Sequence, residues 1–358
     1  MRKLLDDMAR HPATWLVEPG KETSVALSSR VRLARNMSGI QYPSSASPAA
    51  LEKVITYLNS GRERSNRLKQ ADFFMSDTLS DLDKDFLVER HLISPNFLDH
   101  DNSRAVLIAP SEHVSIMVNE EDHLRIQALT AGLDLHAAFT LANEYDDEVC
   151  KHLEIDYDPD FGFLTACPTN VGTGMRASAL MHLPGLVLTR EIDEIIGRIS
   201  KLGLVVRGFY GEGSDVLGNL FQISNQTTLG VSENETLDSI ESITKSIVEE
   251  EQRARRRLVT EAGEQIDDKV FRAYGILKHA RVLTSEEVMN LLSAVRLGVA
   301  LGRINFLTIE MVNELLLLSQ PAHLQKYYEE EMDTDRRDIL RAELVREKLR
   351  AADRRKES

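Results

Sequence analysis

The sequence predicts an α+β protein, with an antiparallel sheet flanked by helices over residues 1–257 and an all-helical domain over residues 258–358. Three observations lead there. Apolar runs at 104–108 and 114–118 flank Pro110-Ser111-Glu112, the pattern of a hairpin. Further strand-like runs at 28–33, 161–166, 204–206 and 221–230 follow in no strict strand–helix–strand order, which favours antiparallel pairing. From about residue 234 the strand signals end. Apolar residues then recur at helical spacing over 234–257, 284–299, 308–318, 321–328 and 333–351.

Bulk properties narrow the function. A hydrophobic share of 42% and a charged share of 28% describe an ordinary globular protein. The net charge of −14 argues against direct nucleic-acid binding through bulk electrostatics. Arginine nevertheless outnumbers lysine by more than two to one, and its rigid fork suits phosphate and carboxylate. Two cysteines point to a reducing compartment, and no apolar run is long enough to span a membrane. The expectation is a cytoplasmic protein.

In chain order, residues 1–23 read as a short lead-in broken by Pro12, Pro19 and Gly20. Next, Ser28-Ser29-Arg30-Val31-Arg32-Leu33 alternates charged and apolar residues, which puts Arg30 and Arg32 on one face of a strand. Two neighbouring guanidiniums repel unless an anion lies between them; a solvated edge strand is an equal reading of this segment alone. Helical patterns follow at 48–69 and 79–90, with His91 just beyond. The strand at 114–118 leads into Asn119-Glu120-Glu121-Asp122-His123-Leu124-Arg125. Carboxylates there suit a cationic substrate or a proton, although an acidic helix start would look the same. Residues 134–154 then read as a long amphipathic helix, and 189–200 as another.

The stretch from Cys167 to Ser178 combines a cysteine, Gly172, Gly174 and Arg176 at what reads as a helix start. Glycines permit close backbone approach to a ligand, and a helix N-terminus suits an anion. Read alone, a buried structural cysteine is the commoner outcome. Arg207-Gly208-Phe209-Tyr210-Gly211-Glu212 forms a second glycine-rich loop. Asp160-Phe161-Gly162 lacks the other elements of a eukaryotic-type protein kinase, and no P-loop pattern occurs.

Taken in order, the blocks at 28–32, 119–125, 167–178, 207–212 and 225–230 resemble the phosphagen (guanidino) kinase family over roughly residues 24–254. The resemblance implies a saddle-like antiparallel sheet with flanking helices, closing over ATP and Mg²⁺. It assigns Arg30, Arg32, Arg125, Arg176 and Arg207 to the nucleotide phosphates. Ser28, Ser29, Val31, Ala177, Ser178, Gly208 and Gly211 belong to the same nucleotide-binding blocks, and His91 matches a nucleotide-site histidine. Cys167 matches the reactive cysteine beside the guanidinium, and Glu121 and Glu212 the two carboxylates that align it. No separate protein metal site is expected, because Mg²⁺ rides mainly on the phosphates.

Members acting on free guanidino compounds carry a helical domain ahead of the first arginine block. Here 27 residues precede Ser28, so an open site able to admit arginine within a polypeptide is expected. That departure and the helical C-terminal extension resemble the bacterial protein-arginine kinase branch (McsB type). The resemblance extends to Arg337, Asp338, Arg341 and Ala342, similar to that branch's allosteric phosphoarginine-binding motif. It further implies a homodimer, an activator protein, and a stress-response role in which arginine phosphorylation marks proteins for a Clp chaperone-protease. The rival expectations are a kinase of free arginine or another small guanidino compound, and a non-catalytic phosphoarginine reader.

Overall fold

The computed structural model describes residues 2–98, 103–208 and 217–357. In chain order its elements are α1 (Arg2–Arg10), α2 (Thr14–Val17), β1 (Ala26–Arg35), α3 (Pro48–Arg64), α4 (Asn66–Lys69), β2 (Asp72–Met75), α5 (Asp81–Glu89), β3 (Ala105–Ile108), β4 (Val114–Val118), β5 (Leu124–Ala131) and α6 (Leu135–Cys150). There follow β6 (Tyr157–Asp158), β7 (Gly162–Phe163), β8 (Met175–His182), α7 (Pro184–Leu188), α8 (Ile192–Lys201), β9 (Leu204–Arg207), β10 (Leu220–Asn225), α9 (Glu233–His279), α10 (Ser285–Ala300), α11 (Ile309–Leu318), α12 (Pro321–Tyr328) and α13 (Thr334–Glu357). Local chemistry sets several starts. Ser80 with Asp83, and Ser232 with Glu235, form reciprocal capping boxes at α5 and α9.

Eight strands form one antiparallel sheet in the order β2-β3-β4-β5-β1-β8-β10-β9. β1 is central, paired with β5 and β8, so the edge-strand reading of Arg30 and Arg32 is overturned. Its alternation sorts the two faces. Val31 and Leu33 are buried with Ile126, Ala177, Ala138 and Ala142, in the core between the sheet and α6. On the other face Leu129, Leu180 and Leu220 are buried with Val288, Leu292 and Val295 of α10. The C-terminal helices thus cover one end of the arginine-bearing face and leave its other end as a cleft.

Three local expectations are corrected. The lead-in contains α1 and α2, whose Leu5, Met8 and Trp15 are buried. Arg176, Ala177 and Ser178 lie within β8, not at a helix start. Alanine and methionine favour helix locally, but pairing with β1 and β10 on both sides overrides that preference. Finally, the helix starting at Glu233 runs a few residues past 257 to a kink at Ala262 (φ −142°, ψ 36°), and a second helical segment continues from there to His279.

Candidate active site

The arginines of the cleft come from four strands, and register brings them together. Arg32 lies opposite Gln127 on β5 and Arg176 on β8, while Arg125 lies opposite Ala34, two residues further along β1. Arg207, ending β9, lies opposite Gln222, which in turn faces Leu180. Period-two geometry therefore aims Arg30, Arg32, Arg125, Arg176 and Arg207 into one cleft, lined also by His91, Ser94, Gln127 and Gln222. Ser28 and Ser178 line its inner recess beside Arg30. Val31 and Ala177 point into the core behind the sheet, and the Ser29 hydroxyl donates to Gly132 O (2.9 Å), so these three side chains do not enter the cleft. Gly208 is buried directly beyond β9, whereas Gly211 and Glu212 lie outside the described residues.

The cleft is short of negative charge. Burial and the neighbouring Arg125, Arg176 and Arg207 push the Arg30 guanidinium down to about 10. Arg32 is held well below its ordinary value by burial, Arg30, Arg125 and Arg176, and its Nε has no hydrogen-bond acceptor among the described residues. Guanidinium does not surrender its proton in proteins, so these shifts express the cost of burying charge together with mutual repulsion, both of which a bound polyanion would offset. Arg125 differs. Against its burial, Glu120, Glu121 and Asp122 raise it, and it donates to Glu120 at 2.6 Å. His91 has φ +58° just after α5; burial and Arg30 push its imidazole down to about 3, so it is neutral.

The second half of the site lies at the end of β4, where residues 119–123 form a turn rather than a helix start. Glu120 is buried, held by Arg125 and by the Ser94 hydroxyl. Glu121 is half-buried, with the half-buried Cys167 thiol among the groups that act on its carboxyl. Burial, Asp122 and Glu120 raise the Glu121 carboxyl, partly offset by Arg125 and that thiol. Cys167 Sγ also lies 3.1 Å from the Thr169 hydroxyl. The glycines after it serve the fold: a Cβ at Gly172 (φ +115°) would stand 2.3 Å from Thr228 O, and one at Gly174 (φ +62°) 2.7 Å from Ala34 O. Gln127, Gln222, Ser94 and Glu120 escaped the sequence reading of the site. Only the cross-strand position of the two glutamines, opposite arginines, could have found them.

The C-terminal motif is divided by the fold. Arg337 donates to Met332 O and to the Thr334 hydroxyl, each at 3.1 Å, and lines a second cavity with Glu89, Ser285, Gln320 and Gln325. Arg341 is buried, donating to Ser319 O (2.7 Å) and Leu283 O (2.8 Å) and paired with Asp338. Ala342 is in the core. Val88 of α5 lines both this cavity and the arginine cleft.

A family profile described as ATP:guanido phosphotransferase, C-terminal catalytic domain, matches residues 51–254. The chain belongs to that family. A second profile, protein-arginine kinase McsB C-terminal domain, matches residues 263–358. Among similar guanido phosphotransferases, the protein-arginine kinase of Symbiobacterium thermophilum is 44% identical over 96% of this chain and 98% of its own length. That of Geobacillus thermodenitrificans is 45% identical over 96% and 95%, and that of Pelotomaculum thermopropionicum 46% over 93% and 94%. In fold, this member of the family is similar to lombricine kinase, with a TM-score of 0.59, 24% identity and coverage of 72% of each chain. It is also similar to the duplicated taurocyamine kinase of Schistosoma mansoni, with a TM-score of 0.56, 23% identity, and coverage of 70% of this chain and 38% of that one.

Proposed function

We propose that this protein transfers the γ-phosphoryl group of ATP to arginine side chains of other proteins. The observation that carries the reading is the juxtaposition of five guanidiniums on one sheet face with the Glu121–Cys167 pair at its end. The names of the relatives and the C-terminal profile supply the protein-bound acceptor.

In this reading the arginines hold the phosphates and spread the charge of the loose transition state. Glu121, with Glu212, orients the acceptor guanidinium and takes the proton released as nitrogen attacks. The N–P bond forms, the β–γ bridging P–O bond breaks, and ADP leaves. The Cys167 sulfur faces the other guanidinium nitrogens. Among the described residues no group of three or more His, Cys, Asp or Glu could hold a metal ion. The cationic lining fits a Mg²⁺ ion carried on phosphate oxygens, where it would neutralise charge. On the same reading the cavity beside Arg337 takes phosphoarginine as an effector. A homodimer, an activator protein and delivery of modified proteins to a Clp protease in the cytoplasm under stress follow from the family resemblance.

The test is ATP-Mg²⁺ with free arginine in one tube and an unfolded protein in the other, both read for acid-labile phosphate. Label is expected on protein arginine, with kcat lowered about 10²-fold or more in Glu121→Gln and lost in Cys167→Ala. Label on free arginine alone would make this a kinase of small guanidino compounds; no label in either tube would favour a phosphoarginine reader.

A further inference from the structure

The phosphate-holding strand and the acceptor-holding groups are distant in sequence, and one buried side chain joins them. Asn36 follows β1, the strand of Arg30 and Arg32, and is fully buried. Its Nδ2 donates to Asp122 Oδ1 (2.6 Å) and to Leu164 O (3.1 Å), and its Oδ1 accepts from His123 N (2.9 Å). Asp122 Oδ1 also accepts from Ala166 N at 2.7 Å. One amide therefore grips the neighbour of Glu121 on one side and the segment entering Cys167 on the other. Next to it, Met37 N donates to His123 Nδ1 (3.0 Å), and His123 Nε2 lies 2.9 Å from Gln41 O. With Nδ1 accepting, Nε2 is the protonated nitrogen, and burial lowers the imidazole so that it stays neutral.

We propose that Asn36 is a positioning residue of the phosphoryl transfer. It fixes Glu121 and Cys167 relative to the strand that holds the phosphates, and so sets the alignment of acceptor nitrogen and γ-phosphorus. The inference rests on the catalytic reading above. Phosphoryl transfer depends largely on positioning, and a misplacement of about 1 Å can cost on the order of 10²-fold in rate. Asn36 has all three groups of its amide engaged, so the clamp is directional. An aspartate of the same shape would keep the acceptor for His123 N but lose both donors and face the Asp122 carboxylate.

The experiment compares wild type, Asn36→Asp, Asn36→Ala and the swap Asn36→Asp with Asp122→Asn. Readouts are kcat on an unfolded protein, nucleotide Kd, thermal midpoint and the pH dependence of Cys167 alkylation. Expected are roughly 10- to 100-fold losses of kcat in both single variants, a nucleotide Kd within about threefold of wild type, as for a group touching no phosphate, and an altered alkylation profile. The swap restores a donor between positions 36 and 122 and should recover much of kcat. A folded single variant with near-native kcat, a loss appearing equally in nucleotide affinity, or a swap that recovers nothing would each overturn the proposal. Failure of both single variants to fold would also overturn it, making Asn36 a purely structural residue. Absence of transfer in the wild type itself would instead refute the catalytic reading.

Discussion

His91 is where backbone, burial and charge meet at one residue. Its positive φ ends α5, its carbonyl accepts from Gln127 Nε2 at 2.7 Å, and its ring meets Trp15 edge-on at 5.5 Å between centroids. Its folded pKa, pushed down to about 3, lies far below the roughly 6.5 of an unfolded histidine. Below pH ~6.5 the unfolded chain therefore binds a proton that the folded chain refuses. Stability falls as the pH drops through that window, by about 1.4 kcal/mol per pH unit for this one group. Asn tolerates the left-handed backbone, so His91→Asn should fold. Urea midpoints between pH 7 and 4 should decline less steeply in the variant, by one proton's share; an unchanged slope would place the titration elsewhere.

At the scale of elements, the decisive fact is that β1 and β8 are central strands whose alternate residues are divided between core and cleft. α6 supports them from behind through a buried ion pair. Arg35 Nη2 donates to Asp146 Oδ2 at 2.7 Å and Nε to Oδ1 at 3.1 Å, while Nη1 reaches Ala34 O and Thr173 O. Its guanidinium also lies 3.5 Å from the Phe163 ring centroid. One side chain thus ties β1, α6, β7 and the loop after Cys167. Removing Asp146 leaves a buried charge without its partner, so Asp146→Ala should destabilise by about 3–5 kcal/mol. Chemical denaturation would register this as a lower midpoint. A change under about 1 kcal/mol would mean that water or the backbone acceptors suffice for Arg35.

At the scale of the molecule, the C-terminal helices are built into the catalytic sheet. Arg296 of α10 is buried and donates to Thr23 O (2.6 Å), Ser24 O (3.1 Å) and Asn313 Oδ1 (3.0 Å), and lies 3.0 Å from His182 Nδ1 at the end of β8. α12 joins α5 through Glu89, which accepts from Ala322 N (2.8 Å) and His323 N (2.9 Å). Val88 of α5 lines both cavities. Calorimetric titration with a phosphoarginine peptide should show one fewer site per chain in Arg337→Ala. Unchanged stoichiometry would remove Arg337 from a second site.

By itself the sequence determined much of this protein. Alternation placed Arg30 and Arg32 on one face, hairpin signals marked β3 and β4, and apolar spacing found α10 to α13 within a few residues. Five ordered blocks pointed to the family now shown by profile and relatives. Those features are local, written in spacing and side-chain type. Tertiary structure alone decided the rest. The strand state of residues 175–182 comes from neighbours on both sides, because local preference there is helical. The engagement of Arg341 with Ser319 and Leu283, and of Asn36 with Asp122, Leu164 and His123, depends on contacts distant in sequence. Such pairings leave no period or motif in the chain. They exist only once burial has removed water and each polar group must find a partner within the fold.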